Sequence, residues 1–295
     1  MNSHNKYRFR SSLHYLHSHD KRCNIPLPLT NGGAPLNPIS GDTMNHTKPA
    51  LLALLALAVS AHANEESDSH FSLGIGAGYN SGIHKDYDSS RWGAVPLLHY
   101  EDQHFYLDGG SAGVKLYNRE NQALTLGAGF DGNEFKPNRS RDARLQQLDK
   151  RKAGISANLN YSLDTGYGSL QTGISQDISG KSKGTQIDAQ YGYTWEVSPQ
   201  FAITPAVGAT YASKKYNQYY YGVSAQEAAR SGLSAYNAKG GINPYIDLSA
   251  QYQISPHIST FAGARAEQLS GAVKDSPMTD KKTEYSGMVG ATYNF

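Results

Sequence analysis

Cysteine occurs once in this 295-residue chain, at Cys23, and tryptophan only twice. A lone cysteine excludes an intrachain disulfide, and without a CxxC or HExxH spacing no metal or cofactor site is expected. No apolar run reaches the ~20 residues that a membrane-spanning helix needs. Charge of one sign is missing too: 27 Lys+Arg stand against 25 Asp+Glu, without the clustered basic face of a nucleic-acid binder. The mean hydropathy of -0.56 excludes a bundle of membrane helices. It does not exclude a transmembrane barrel, whose strands alternate apolar with polar residues and average out polar. What is abundant is glycine (30) and tyrosine (21).

From Met44 the chain reads MNHTKPALLALLALAVSAHANEES. Lys48 supplies a short basic start, Ala50 to Val59 an apolar core, and Ala61-His62-Ala63 a small-residue cleavage pattern. A secretory signal peptide over 44–63, cut after Ala63, is therefore expected. Residues 1–43 lack apolar periodicity and are expected to be disordered, reflecting either a start assigned upstream of a true initiator at Met44 or a long targeting extension. Six basic and two acidic residues precede Asn64, which leaves 21 against 23, and no cysteine, in 64–295. An exported chain without disulfides must find stability elsewhere, and closing a sheet on itself is one way.

From Phe71 onward the dominant signal has period two. Ile155, Ala157, Leu159, Tyr161 and Leu163 alternate with Ser156, Asn158, Asn160, Ser162 and Asp164. Ile246 to Ile254 repeats the pattern, and Ile187 to Val197 reads as another such strand. Each segment presents one apolar and one polar side. The apolar faces are alanine-rich in mid-strand with aromatics towards the ends, which fits a lipid-facing band edged by aromatic girdles better than the core of a soluble β-sandwich. Glycines on the polar face (Gly74, Gly76, Gly78, Gly127, Gly129) suit a crowded or sharply curved interior. Tight turns (101–103, 118–122, 165–166, 198–200, 255–257) alternate with long loops (81–90, 132–151, 212–242, 271–282). Splitting 104–118 at Gly109-Gly110 gives an even count. We therefore expect an all-β, single antiparallel up-and-down transmembrane barrel over 64–295, of twelve strands (ten being the alternative), with periplasmic termini. The last strand runs from Tyr285 to Tyr293 and Phe295 in strict alternation. It resembles the terminal signal read by the barrel-assembly machinery.

Candidate chemistry is sparse. His84-Lys85-Asp86 lies in a predicted surface loop, where a solvated polar segment outweighs an acid/base pair. His99 lies on a strand. Arg139, Arg141 and Arg144 fall in the loop after the fifth strand, either as a contact for lipopolysaccharide phosphates or as a solvated charged segment. Arg265 and Glu267 share the lumen face of a late strand, as an ion pair or as pore lining. No catalytic constellation is found.

The segment Tyr220-Tyr221-Gly222-Val223-Ser224, which continues an aromatic cluster begun at Tyr219 and is followed by Ser231-Gly232-Leu233, Tyr236 and Gly240-Gly241, resembles the MltA-interacting protein (MipA/OmpV) family of outer-membrane proteins. So do Pro96-Leu97-Leu98-His99-Tyr100-Glu101 and the terminal Gly290-Ala291-Thr292-Tyr293-Asn294-Phe295. The resemblance implies an outer-membrane protein without enzymatic residues. It would act as a scaffold between a lytic transglycosylase and a murein synthase, or as a surface adhesin or receptor. A pore for small solutes is the rival reading. The Tyr-rich loop is the candidate interaction element; it either folds into the mouth, contacts a partner outside, or is an ordered loop sealing the lumen. Gln226 to Arg230 are expected to form a helical turn.

Overall fold

The computed structural model describes residues 69–87 and 92–295; the expected signal peptide, with Ala61 and Ala63, and the segment 1–43 lie outside them. The strands are β1 (His70–Asn80), β2 (Trp92–Glu101), β3 (Phe105–Asp108), β4 (Ser111–Arg119), β5 (Gln122–Asp131), β6 (Gly154–Thr165) and β7 (Gly168–Asp177). There follow β8 (Thr185–Gly192), β9 (Trp195–Ser198), β10 (Phe201–Ala212), β11 (Gly241–Ser255), β12 (Ile258–Gln268) and β13 (Thr283–Asn294). All pairings are antiparallel, each strand pairs with its neighbours in sequence except that β8 and β9 both pair with β10, and β13 returns to pair with β1, closing the sheet. The β3–β4 hairpin turns at Gly109-Gly110, as the sequence suggested.

One expected strand is broken. Residues 186–197 read as continuous, yet β8 ends at Gly192 and β9 begins at Trp195, both lying against β10. The break faces Pro205: the Tyr193 N–H donates to the Pro205 carbonyl (3.1 Å), but proline has no N–H to return and the ladder cannot continue there. Since β8 and β9 are two halves of one strand, the wall has twelve.

Alternation sets the two faces. Leu73, Ile75, Leu126, Ile174, Val207, Ile246, Leu248 and Val289 point outward and are exposed, the inverse of a soluble protein and the expected state of a lipid-facing band. Ser72, Asn158, Ser175, Gln186, Gln190 and Ser249 point inward and are buried. Glycine is needed where an interior side chain lies flat on the wall. A Cβ on Gly113 or Gly127 would strike the ring of Tyr106. Short turns lie at the end that carries His70 and Phe295, so that end is periplasmic and the long loops are extracellular.

Candidate functional site

The long loops build a lid with a core of its own. Two helices form in the β10–β11 loop: α1 (Lys214–Tyr221) and α2 (Ala225–Ser231). Ser213 caps α1 by accepting from the Tyr216 N–H. Ser224 and Glu227 form a reciprocal capping box on α2, and Gly232 ends it with φ +71°, the left-handed conformation glycine adopts at low cost. Positions 216 and 220 lie one turn apart and bring their rings together at a tilt, 4.8 Å between centroids. They pack with Ile83, Ala212, Tyr221, Leu269 and Val273 into one cluster. Val223 and Leu233 pack with Phe135, Leu145, Leu148 and Met278 into a second.

Polar pins tie the lid to the barrel from several sides. Tyr216 Oη and Tyr220 Oη donate to the two oxygens of Asp131 (3.2 and 3.3 Å), at the top of β5. Asn133 Nδ2 donates to Tyr221 Oη (2.9 Å), and Ser276 Oγ to the Tyr221 carbonyl (2.7 Å). Tyr236 Oη donates to the Gly271 carbonyl (3.0 Å), next to the short helix α3 (Gly271–Lys274). Arg151 Nη2, on the β5–β6 loop, donates to Glu227 Oε1 (2.7 Å) and to the Gly222 carbonyl (3.1 Å); both side chains of this pair are buried. Glu227 also accepts from the Asp149 and Ser224 amides (3.0 and 2.9 Å). Burial acts to raise its carboxyl, but these amide donors and the guanidinium hold it below the ordinary carboxylate range. Because the β10–β11 loop thus touches the β1–β2, β5–β6 and β12–β13 loops at once, it crosses the barrel mouth.

His84 does not sit in a solvated loop as expected. Its ring packs 4.9 Å from Phe135 and 5.5 Å from Tyr87, with Tyr221 at 6.3 Å. Its Nδ1 is enclosed without a hydrogen-bond partner. Burial is the main cause that lowers its pKa to about 4; the nearby Arg151 lowers it further, and the Met278 carbonyl opposes. A folded-state value below the unfolded one means that the native lid binds the proton more weakly, so stability falls as pH drops through 6.5 and the loss levels off near 4. We predict that the amide protection factors within the lid, referred to the intrinsic exchange rate at each pH, fall between pH 6.5 and 4, and that His84→Phe flattens this dependence. An unchanged profile in the variant would assign the acid response elsewhere.

The predicted interaction residues largely form the lid core. Tyr220 and Val223 are each 1% exposed; Tyr221, Gly222, Ser231 and Leu233 are buried, while Tyr219 and Tyr236 are half-buried and Gly232 is exposed. The helical turn expected over 226–230 is α2. In the β5–β6 loop the Arg144 guanidinium forks onto Asp142 (3.1 and 2.8 Å). Arg141 is exposed, and half-buried Arg139 ends a short 3₁₀ turn. At the chain end the Phe295 ring lies tilted against Phe71 (5.2 Å) and edge-on to Tyr293 (4.9 Å), both terminal aromatics facing outward.

The lumen holds two charged clusters that period-two reading alone could not assemble. Arg265 and Glu267 do point inward, but Arg265 forks onto Asp247 of the neighbouring strand (2.8 and 2.7 Å), not onto Glu267. Its guanidinium lies 3.8 Å over the Tyr245 ring. Tyr245 Oη donates to Asp188, which also accepts from Thr210 Oγ1 (2.8 Å). Nearer the periplasm, His99 lies 3.5 Å from Glu101 and 3.9 Å from Asp108, and Lys115 pairs with Glu101. Among the described residues no group of three or more His, Cys, Asp or Glu is placed to hold a metal ion.

The family model described as "MltA-interacting protein MipA" matches residues 73–295. The chain is 36% identical over 251 residues to the MltA-interacting protein of Escherichia coli (strain K12), covering 84% of this chain and 100% of that one. It is 26% identical over 223 residues to the outer membrane protein OmpV of Vibrio cholerae, covering 75% and 85%. Among solved structures it is similar to the NanC porin, at 11% identity and a TM-score of 0.39, covering 75% of this chain and 98% of that one.

Proposed function

Because the chain belongs to the MltA-interacting protein family, we propose that it is an interaction barrel of the outer membrane. Its periplasmic end would hold a lytic transglycosylase and, beside it, a murein synthase. The observation that carries this reading is the match at 36% identity along the whole length of a relative named for such an interaction. Topology adds a constraint. The Tyr-rich segment lies in the extracellular lid, so a periplasmic enzyme must be met by the short turns and strand ends on the other side.

The β4 end offers an exposed surface there. Beyond Val114, the last residue of β4 paired with β3, Leu116 to Asn121 are all exposed, and the Arg119 guanidinium lies 5.6 Å over the Tyr117 ring. An exposed strand end with an aromatic and an arginine suits a protein contact. In the same reading Arg139, Arg141 and Arg144 face lipopolysaccharide phosphates, and Tyr293 with Phe295 is the segment the assembly machinery takes up. A solute pore is the second reading. The polar lumen favours it, and a lid pinned across the mouth weighs against a permanently open channel.

The test is affinity capture from solubilised envelopes with three baits: the full chain, a chain lacking 216–241, and Tyr117→Ser/Arg119→Glu. Capture of a lytic transglycosylase is expected from the first two, with a loss of roughly tenfold in the third, since a contact worth about 1.4 kcal/mol corresponds to that factor. Failure of the folded full chain to capture any such enzyme, alongside stepwise conductance in planar bilayers, would move the assignment to a pore.

A further inference from the structure

Among the described residues the barrel wall is incomplete at one place. β3 has only four residues, and its last, Asp108, lies opposite His99 of β2. Above that level Gly109 N–H still donates to the Leu98 carbonyl (3.1 Å). Among the described residues no strand pairs with the β3-facing edge of β2 from Gly93 to Leu97. Five residues of strand at ~3.3 Å each leave an edge about 17 Å long. The edge lies at membrane depth: outward Ala94, Pro96 and Leu98 fall between Tyr100 below and Trp92, paired with Tyr79, above. The sill of this notch is Gly109-Gly110, with Phe130 of the next strand over Gly110.

An unpaired edge facing hydrocarbon is costly, because each orphaned backbone group lacks water as a partner. Two features point to a purpose. The Leu98 carbonyl faces the gap, so by antiparallel alternation the main chain of residue 96 does too. Residue 96 is proline, which has no N–H to leave unpaired and which blocks a further strand from docking on the edge. Behind the edge, the inner wall changes character. Elsewhere it is mostly polar; here Val95 and Leu97 of β2 lie beside Gly74, Gly76 and Gly78 of β1. The strip continues to Met288 and Gly290 of β13 and to Phe261, whose ring lies across Gly290. An apolar strip is thus continuous, through the notch, with the lipid-facing band, while the lid covers the route from above.

We propose that the notch between β2 and the β3–β4 hairpin is a lateral port, through which one acyl chain of a membrane amphiphile reaches the apolar inner wall formed by Val95, Leu97, Phe261 and Met288. This inference is independent of the scaffold reading. The strip is narrow, one strand pair from polar Ser72 and His99, so it takes a single chain and not a folded partner.

The port is tested with the full barrel reconstituted in phospholipid vesicles containing a phospholipid with a mid-chain diazirine. The sample is irradiated and its adducts are mapped by peptide mass spectrometry. Adducts on inward Val95, Leu97 or Met288 are expected beside those on outward Leu73 and Ile75. Val95→Glu should lower the inward adducts roughly tenfold and spare the outward ones, since a carboxylate is poorly tolerated against a hydrocarbon chain. Folding is checked by mobility on unboiled gels, and the wild-type map decides the question even where that variant fails to fold. Adducts confined to outward residues would overturn the port, and so would inward adducts indifferent to Val95→Glu. A single-cysteine chain (Cys23→Ser with Ala94→Cys) that forms disulfide-linked dimers at the edge would overturn it as well, assigning the edge to a second copy.

Discussion

Replacing Glu227 by alanine is expected to release the lid while leaving the barrel closed. The carboxylate gathers three donors, Arg151 Nη2, the Asp149 amide and, through its other oxygen, the Ser224 amide, with the Arg230 guanidinium further off at 4.0 Å. Its removal leaves a buried guanidinium with carbonyl partners only. Breaking such a pair from one side costs about 3–5 kcal/mol, and that cost falls on the lid, whose clusters reach the strands only at Ala212, the last residue of β10. With opening fast relative to cleavage, protease cutting within 213–240 should rise by about two to three and a half orders of magnitude. The double variant Arg151→Met/Glu227→Leu should return most of the resistance, because a packed apolar pair is close to neutral relative to a buried ion pair. Since the folded Glu227 carboxyl is held low, its contribution is complete above its unfolded value and is lost as pH falls below about 4.3. Wild-type cleavage in Glu227→Ala would show that the apolar clusters alone hold the lid.

The wall was legible in the sequence because period two is local. Each strand states its own lipid and lumen face, and Gly109-Gly110 marked a hairpin only four residues deep. The break at Tyr193-Thr194 was not legible, because its cause, Pro205, lies on the neighbouring strand and acts through pairing register. The lid was partly legible. Tyr219 to Tyr236 stood out as a motif, but aromatic density alone does not separate an exposed contact from a core. The partners that bury these residues, Phe135, Leu145, Val273 and Met278, come from other loops. His84 failed for the same reason: beside Lys85 and Asp86 it reads as solvated, while the residues that enclose it are distant in sequence. The notch follows from a strand being short, which a sequence states only through the early turn and Pro96.

Arg265→Leu is expected to be the most damaging single change inside the barrel. The guanidinium lies among the carboxylates of Asp247, Glu267 and, further along the wall, Asp188 and Glu284, with Asn243 holding Glu267 at 2.7 Å. It is the cation that Asp247 grips with both oxygens, and the Tyr245 ring beneath it is fixed in turn by Asp188. With both side chains of the Arg265–Asp247 pair about nine-tenths buried, removing one partner should cost about 3–5 kcal/mol. The readout is the urea midpoint of the vesicle-embedded barrel at neutral pH. Arg265→Lys keeps the charge but loses the fork and the stacking, so an intermediate loss is expected. Arg265→Leu/Asp247→Leu should be milder than Arg265→Leu alone, because it removes the stranded carboxylate together with its partner. A single variant within about 1 kcal/mol of wild type, the range of an exposed pair, would instead mean that water in the lumen reaches these groups. The wall would then hold through its backbone ladder without help from the cluster.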